Sequence, residues 1–592
     1  MNLLFTPLFV TIFILAESYA LTEQINIPLH LRPSSPVLED QVLRQSMRAK
    51  RAALKPVTLH NWGGNFLFST QNIQYPTTVE QVQEIVQGAD KIRCMGTRHS
   101  FSRCADSPDT IISTLGLKNI IGFDASVPSI TVQAGIPYTD LNPYLQYLGY
   151  ALPNQASLSE ISVAGASQTG AHGSGLTHQC LASHIRSLKI VLANGTLATY
   201  GPNDPELKAI VVGVGAFGVI TQVELNVEPT FNITNYFFVN MPTQDLYDHF
   251  DEIENMGYSV QLFTDFSTPG VWGQIMIMDR SGSNSNIGSL QNLYGATRSH
   301  TQISPIAALP PTYLVDQSVE QPWYFGLVDY HLGLSGFDGA EIQSEYFLAY
   351  ENAVAAIKAV TTLSDLIAPR VHLLLIRTIK GDDFWLSEMY SQSNVVGIHF
   401  TWKPNMTAVM EVLPQIEQLL IPYCARPHWG KVFAQGPETF LHCYPKLADF
   451  KQLAEQLDPT HKFRNQFLED NLFVNLPTSS APSTVPPASC GNRAPLIAIS
   501  AQNTTVLTDT LTQHYNTWNA TIKIGFNSVF NQVRKAIWDD VTFPTPAVKI
   551  TNIVQYFLSY NKNAVERQKV LMDINIVEWG GTIQKFCDCG SG

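Results

Sequence analysis

Three glycine-rich segments, each adjoining a run of strand-forming residues, constrain the fold of this chain most. The first, Gly96 to Phe101 (GTRHSF), directly follows KIRCM, which is typical of a short buried strand. The second runs from Ile161 to Gly175 (ISVAGASQTGAHGSG), and the third covers 213–221 (GVGAFGVIT). Glycine lets the backbone approach a ligand closely, and N–H groups at a strand end can bind phosphate oxygens. The three segments therefore suit a large planar ligand that carries a pyrophosphate.

Each of these segments also has a purely structural interpretation. A tight turn explains glycines as well as a ligand does, and a lone loop histidine such as His99 is more often a hydrogen-bonded surface residue. The third segment superficially resembles a dinucleotide fingerprint, but it precedes the strand-like run VITQVELNVEP rather than a helix. That context excludes a Rossmann fold.

Composition narrows the class of protein and of partner. The chain has 592 residues, of which 45% are hydrophobic and 14% charged, as in a globular protein of more than one domain. Its formal charge is −13, and its Lys and Arg residues do not cluster. An acidic chain without a basic patch is not expected to bind nucleic acid.

Strand-like and helical patterns alternate along the chain and predict an α+β protein. Between 57 and 230, SITVQAG and the hairpin SLKIVLANGTLATY predict strands, and TTVEQVQEIVQGA predicts a helix. Between 231 and 426, runs such as YSVQLFTDF and VHLLLIRTIK predict an antiparallel sheet backed by helices, one of them expected over 339–366 (GAEIQSEYFLAYENAVAAIKAVTTLSDL). A further ordered segment covers 427–472, a Pro/Ser/Thr-rich linker covers 473–490, and an extension without assigned chemistry covers 491–592.

The N-terminal residues predict export. Residues 1–20 resemble a signal peptide, because Leu3 to Ala16 is almost wholly apolar and Ser18-Tyr19-Ala20 suits a signal peptidase; an uncleaved signal anchor is the alternative. A polar lead-in follows over 21–56. Glycosylation sequons begin at Asn194, Asn232, Asn405, Asn503 and Asn519. We therefore expect a secreted glycoprotein without membrane association after cleavage.

The eight cysteines permit disulfides in an oxidising compartment, but their pairing stays open. No group of Cys and His residues has the spacing of metal ligands, so no metal site is predicted.

Together, in this order and spacing, the three glycine-rich segments resemble the PCMH-type FAD-binding domain of the vanillyl-alcohol oxidase superfamily. The sugar-1,4-lactone and alditol oxidase branch is the closer resemblance, and it extends from Asn61 to about Asn471 through strings such as ALPNQASLSEISVAG, GAEIQSEY, HFTW and RPHWGKVF. It implies a two-subdomain flavin domain, formed by 57–230 and 427–472, and an α/β cap domain with an antiparallel sheet over 231–426.

The resemblance also implies a cofactor, FAD, bonded through its 8α-methyl group to the histidine of the GxxHS turn. That histidine is His99, and many relatives have glycine where this chain has Arg98. The residues expected to bind FAD are His99, Gly96, Thr97, Arg98, Ser100, Phe101, Ser162, Gly165, Gly170, His172, Gly173, Ser174, Gly218 and Ile220.

On the substrate side, the resemblance implies that Arg377, His399, Thr401 and Lys431 are catalytic. Two positions depart from the family pattern: Leu375 replaces a glutamate, and Ala166 replaces a serine. Each change removes a group that would hold a substrate hydroxyl, whereas Leu375 supplies an apolar wall.

Three hypotheses remain at this stage. The leading one is an oxidase that transfers a hydride from an alditol or aldono-1,4-lactone to flavin N5 and releases hydrogen peroxide from oxygen. The second is a dehydrogenase of the same fold with another electron acceptor. The third is an FAD-binding protein without turnover, which Leu375 and Ala166 favour and the surviving Arg377, His399 and Lys431 oppose.

Overall fold

The computed structural model describes residues 59–305, 309–330, 339–391 and 393–474. The predicted signal peptide, the lead-in, nearly all of the linker and the C-terminal extension lie outside these residues. One compact unit of the chain comprises Met1–Val409 and Tyr423–Leu472. Every side chain of the site described below belongs to this unit.

A small parallel sheet opens the described part of the chain. Its strands are β1 (Ile73–Gln74), β2 (Ile92–Met95) and β3 (Thr110–Ser113), in the order β1-β3-β2. Helix α1 (Val79–Gly88) connects β1 to β2, and the Thr78 side chain caps it by accepting a hydrogen bond from the Gln81 N–H. The first glycine-rich segment follows β2 directly, as the sequence predicts.

A five-stranded antiparallel sheet carries the third glycine-rich segment. Its strands are β4 (Ile120–Asp124), β5 (Ser129–Gln133), β7 (Ile185–Val191), β8 (Leu197–Tyr200) and β9 (Val219–Asn226), in the order β4-β5-β9-β7-β8. The predicted hairpin at Asn194-Gly195 is confirmed between β7 and β8, and Gly195 has a positive φ of 81°. The two short strands β6 (Tyr150–Ala151) and β10 (Glu228–Pro229) pair with each other as a separate two-stranded antiparallel sheet.

The second half of the chain forms a ten-stranded sheet whose pairs are antiparallel. Its strands are β11 (Asn232–Pro242), β12 (Ser259–Thr264), β13 (Val271–Arg280), β14 (Asn292–Leu293), β15 (Ala296–Arg298), β16 (Glu320–Pro322), β17 (Ile342–Ala349), β18 (Val371–Ile379), β19 (Val395–Trp402) and β20 (Arg426–Pro427). The order is β14-β15-β11-β13-β12-β18-β19-β17-β20, with β16 also on β11. The antiparallel sheet and the α+β class are thus as predicted.

The remaining helices are mostly short. They are α2 (Tyr138–Leu148), α3 (Val163–Gln168), α4 (Leu207–Ile210), α5 (Thr243–Asp248), α6 (Phe250–Glu254), α7 (Trp323–Gly326), α8 (Ala353–Thr361), α9 (Ser364–Ile367), α10 (Met406–Leu420), α11 (Pro437–Cys443), α12 (Leu447–Leu457) and α13 (Gln466–Leu468). Within the described ranges, no helix has both the length and the apolar character that crossing a bilayer requires.

The helix expected over 339–366 is wrong in its first half. Ile342–Ala349 is the strand β17, and helix begins only at Ala353. The strand pairs with β19 along its whole length and is buried on both faces, so its apolar and polar residues do not show the simple alternation of a half-exposed strand. This correction matters for the site, because it puts Glu345 on the same sheet as the predicted catalytic residues.

One disulfide is present among the described residues. It joins Cys424 to Cys443, a pairing that the sequence left open. Cys94, Cys104 and Cys180 are free thiols.

Candidate active site

A cavity of about 260 Å³ lies between the glycine-rich turns and one face of the ten-stranded sheet. Most of the residues predicted to bind FAD line it: Gly96, Thr97, Arg98, His99, Ser100, Phe101, Ser162, Gly165, His172, Gly218 and Ile220. All four predicted catalytic residues line it as well: Arg377, His399, Thr401 and Lys431. Residues more than 300 positions apart in the sequence therefore meet at one site.

The turn that follows β2 has an unusual backbone at Arg98. Its φ is +67°, in the left-handed region that costs a residue with a side chain roughly 1–2 kcal/mol. The Arg98 carbonyl accepts a hydrogen bond from the Trp62 N–H at 2.7 Å, and its guanidinium donates to the His60 carbonyl at 3.0 Å. These bonds hold a conformation that glycine would adopt freely.

His99 is placed beside this turn as a neutral imidazole. Its Nδ1 is 2.9 Å from the Thr97 hydroxyl, and its Nε2 is buried without a hydrogen-bond partner. The ring stacks on Trp62 with 4.9 Å between centroids. Burial, with a further contribution from the Arg98 charge, lowers the pKa of His99 to about 4. A neutral ring with an unpartnered nitrogen fits a histidine that is bonded to a cofactor.

Gly96 and Gly165 let the backbone pack closely against Ser162. A Cβ added to Gly96 would lie 2.2 Å from Ser162 Oγ, and one added to Gly165 would lie 2.7 Å from the same atom. Such contacts are too short for any side chain. The backbone segments can therefore pack closely here and still face the cavity, as FAD binding requires.

Three predicted FAD-binding residues lie outside the lining of the cavity. Gly170 has a φ of +68°, and a Cβ added there would lie 2.0 Å from a Glu388 carboxylate oxygen. Gly173 packs against the Gln155 backbone in the same way, and the Ser174 hydroxyl is hydrogen-bonded to that of Ser259. All three shape the wall behind the cavity.

The predicted catalytic residues converge on a carboxylate that the sequence analysis missed. Glu345 of β17 is fully buried, with Arg377 Nη2 at 2.7 Å from one carboxylate oxygen and Lys431 Nζ at 2.5 Å from the other. Burial alone would raise the pKa of Glu345, but the charges of Arg377 and Lys431 hold it well below its usual range. Glu345 is therefore ionised, and the two cations leave the group with one surplus positive charge.

Three histidines surround this ion cluster in neutral form. His172 Nε2 lies 3.3 Å and His399 Nδ1 3.4 Å from Glu345 oxygens. Burial, followed by the charge of Lys431, lowers the pKa of His399 to about 3, and burial lowers the pKa of His172 and of His428 too. Lys431 Nζ donates to His399 Nδ1 at 2.9 Å, and His399 Nε2 lies 3.0 Å from the Thr401 hydroxyl. A chain of proton-carrying groups thus runs from Lys431 to Thr401.

His172, Glu345 and His428 could in principle hold a metal ion, because one ligand atom from each lies within 4.8 Å of the others. Arg377 and Lys431 already occupy both oxygens of Glu345, however. A third cation would be repelled by these two charges, so the trio is better suited to orienting Arg377 and Lys431 than to binding a metal.

Further lining residues were not identified from sequence. Glu341 and Gln343 face the cavity and are hydrogen-bonded to each other, and burial raises the pKa of Glu341 to about 7. His428 and Trp62 also line it. Some of these residues could have been identified from the sequence, because they lie in strings that carry the family resemblance. Glu341, Gln343 and Glu345 lie in GAEIQSEY, and His428 lies in RPHWGKVF.

Comparisons with known proteins agree with this arrangement. Residues 70–201 match the FAD binding domain family, and residues 340–471 match the D-arabinono-1,4-lactone oxidase family. The chain is 34% identical to alditol oxidase from Streptomyces sp. over 416 residues, which are 70% of this chain and 98% of that relative. It is 26% identical to L-gulono-1,4-lactone dehydrogenase from Mycobacterium tuberculosis over 431 residues, 69% of this chain and 97% of the relative.

The fold has a known counterpart at lower sequence identity. The crystal structure of cholesterol oxidase from B. sterolicum superimposes with a TM-score of 0.54 at 17% identity, over 70% of this chain and 96% of that one. At this identity the likeness concerns the fold alone, and it confirms the predicted PCMH-type architecture.

Proposed function

The chain belongs to the family of FAD-dependent alditol and sugar-lactone oxidoreductases, and from that membership we propose that it oxidises a CH–OH group of an aldono-1,4-lactone or an alditol. In this proposal FAD is bonded covalently to His99, and oxygen is the electron acceptor. The observation that carries it is the convergence of Arg377, Lys431 and His399 on Glu345, at the same cavity as His99.

FAD would supply the redox chemistry, and the residues around the cavity would hold FAD in place. When bound, FAD would supply a hydride acceptor at N5 and the two electrons that reduce oxygen to hydrogen peroxide. Gly96, Ser162 and Gly165 would hold it by close backbone packing, and His99 by a covalent bond. A covalent bond prevents loss of the flavin from a protein outside the cell.

The ion cluster acts on the substrate hydroxyl. The surplus positive charge of Arg377 and Lys431 over Glu345 stabilises the alkoxide that develops as the hydroxyl loses its proton. The proton passes to His399, whose ring is kept neutral by burial, while Lys431 stays protonated. Glu345 keeps the two cations in place without contributing a proton.

A dehydrogenase with another electron acceptor is the second candidate. It is favoured by the similarity, over 69% of this chain, to a relative that is named a dehydrogenase. The experiment that tests the proposal is a screen of alditols and aldono-1,4-lactones with holoenzyme, in which peroxide release and dye reduction are measured side by side. Peroxide release in air supports the oxidase, and dye reduction without peroxide supports the dehydrogenase. If neither peroxide release nor dye reduction is seen, both candidates are contradicted.

We also propose that the protein is secreted and glycosylated, as its apolar N-terminal run and its sequons suggest. Asn194 and Asn405 are exposed, whereas Asn232 lies in β11 and its amide nitrogen donates to Glu320 at 2.9 Å. Peptide mass spectrometry of protein from the culture medium should find glycans at Asn194 and Asn405 but not at Asn232. Unglycosylated protein that retains Met1 inside the cell would refute the proposal.

A further inference from the structure

The sheet face that lines the cavity has two chemically different halves. One half is formed by β19, by β17 and by the residue that precedes β17. Its lining residues are polar, and we call them the polar strip: Glu341, Gln343, His399 and Thr401. The other strands contribute Arg377 and a second group, here called the apolar strip, which consists of Phe237, Phe263, Met276, Leu373 and Leu375. All five of its members are at most 4% exposed.

The two strips meet at a defined line between β19 and β18. His399 is directly opposite Leu375, which in turn is opposite Phe263, so one row across the sheet changes from polar to apolar in a single step. The neighbouring row does the same, with Thr401 opposite Leu373. Side chains directly opposite each other have Cβ atoms about 5 Å apart. A group held at His399 therefore has apolar surface about 5 Å away from it.

No polar side chain of β11, β12 or β13 lines the cavity beside the apolar strip. The side chains of Gln261 and Gln274 lie on the same face by register, but neither lines the cavity. Their Nε2 groups donate to Ser174 Oγ and the Ser304 carbonyl respectively, and their Oε1 atoms are buried without a partner among the described residues. A substrate hydroxyl placed against the apolar strip therefore meets no polar side chain of these three strands on the lining. An unpaired hydroxyl buried there loses its hydrogen bonds to water, which is unfavourable.

We propose that the substrate is amphipathic: its reacting alcohol and an adjacent hydroxyl lie on the polar strip, and an apolar group of several carbons lies on the apolar strip. This inference rests on the proposed function, because it narrows the substrate of the same site to alditols or lactones in which an alkyl group replaces some of the hydroxyls. It places the specificity of the enzyme in Phe237, Phe263, Met276, Leu373 and Leu375. Each methylene buried on the apolar strip should tighten binding about fourfold.

The test compares compounds of equal length that differ only in hydroxyl content. Erythritol, xylitol and sorbitol are paired with 1,2-butanediol, 1,2-pentanediol and 1,2-hexanediol. Binding to anaerobic holoenzyme is measured by calorimetry, and reduction of the flavin is followed separately by its visible absorbance. We expect each diol to bind more tightly than its matched polyol, with affinity rising along the diol series.

Variants assign the effect to the apolar strip. Met276→Gln keeps the length of the side chain but makes it polar, and it should remove most of the diol preference; Leu375→Gln should do the same. Met278→Gln is the matched control, because Met278 is on the same strand and equally buried but does not line the cavity. Melting temperatures establish that each variant is folded.

The two readouts separate the inference from the function on which it rests. Tighter binding of polyols than of diols, or a diol preference unchanged in both Met276→Gln and Leu375→Gln, would overturn the inference even if the flavin is reduced. Diol preference without flavin reduction by any compound would uphold the apolar strip and contradict the proposed oxidation.

Discussion

The guanidinium of Arg377 lies 2.7 Å from the carboxylate of Glu345, although β18 and β17 do not pair with each other. Strand β19 lies between them, and its residue opposite Arg377 is Gly397. A Cβ added to Gly397 would come within 3.3 Å of Glu345 Oε1 and within 3.1 Å of the Phe347 ring. The missing side chain at Gly397 is therefore what lets Arg377 reach across the sheet.

Substitution of Gly397 should separate this ion pair. In Gly397→Val the added methyl groups would occupy the path of the guanidinium, and a buried pair that loses one partner costs about 3–5 kcal/mol. We expect a lower melting temperature and slow anaerobic reduction of a fully loaded flavin. Gly122→Val is the control, since an added Cβ there meets nothing within 4 Å. Normal reduction rates in Gly397→Val would show that the pair is dispensable.

Lys431 should matter for every substrate. Its ammonium contacts both Glu345 and His399, and its proposed role belongs to the transition state. Lys431→Met should lower the rate of flavin reduction by about 10²–10³-fold, the usual loss when one charge-stabilising donor is removed. Stopped-flow reduction by a lactone and by an alditol measures this, with exposed Lys446→Met as the control. A selective loss on one substrate would instead make Lys431 a specificity residue.

His99 should anchor the flavin. Its neutral ring has one buried nitrogen without a partner, and it stands in the turn where the family resemblance predicts the bond. Denatured wild-type protein should retain flavin fluorescence on a gel, and the label should map to the peptide that contains His99. His99→Ala should release its flavin on denaturation. Retention of flavin by that variant would require a different attachment site.

Stability should fall as pH rises because of Glu254. Burial raises the pKa of this carboxyl from 4.5 to about 8, and among the described residues only Thr378 donates a hydrogen bond to it. Between these two values the folded state holds a proton that the unfolded state has released, so stability decreases with pH across that window and is fully present below it. The difference at pH 8 is on the order of a few kcal/mol. Thermal unfolding of wild-type protein and Glu254→Gln over pH 5–8 should show a flatter profile in the variant; parallel profiles would contradict the shift.

The sequence predicts the flavin side of the site better than the substrate side. His99, Gly96 and Ser162 belong to short segments that resemble motifs of the family, so their position at the cofactor could be predicted, and all of them line the cavity. Glu345 was missed because Ile342–Ala349 is a strand buried on both faces, and its apolar residues run into the true helix α8. Its role depends on pairing across β19 with residues far away in sequence, which no local pattern encodes.

The division of the cavity-lining sheet face into a polar strip and an apolar strip could not be predicted from the sequence either. Leu375 alone indicates an apolar wall, but its continuation through Phe263 and Met276 exists only because β18, β12 and β13 are neighbours in the sheet. Strand order in a large antiparallel sheet is set by long-range pairing, so it could not be inferred from the order of residues.

Anaerobic mixing of purified holoenzyme with alditols and aldono-1,4-lactones tests the central claim most directly. Without oxygen, oxidation of the alcohol must leave the flavin reduced, so the visible absorbance of the oxidised flavin should disappear and return when air is admitted, with hydrogen peroxide released. Lys431→Met should lose most of this rate and keep its flavin. A flavin that stays oxidised with every alcohol of both classes would contradict the account.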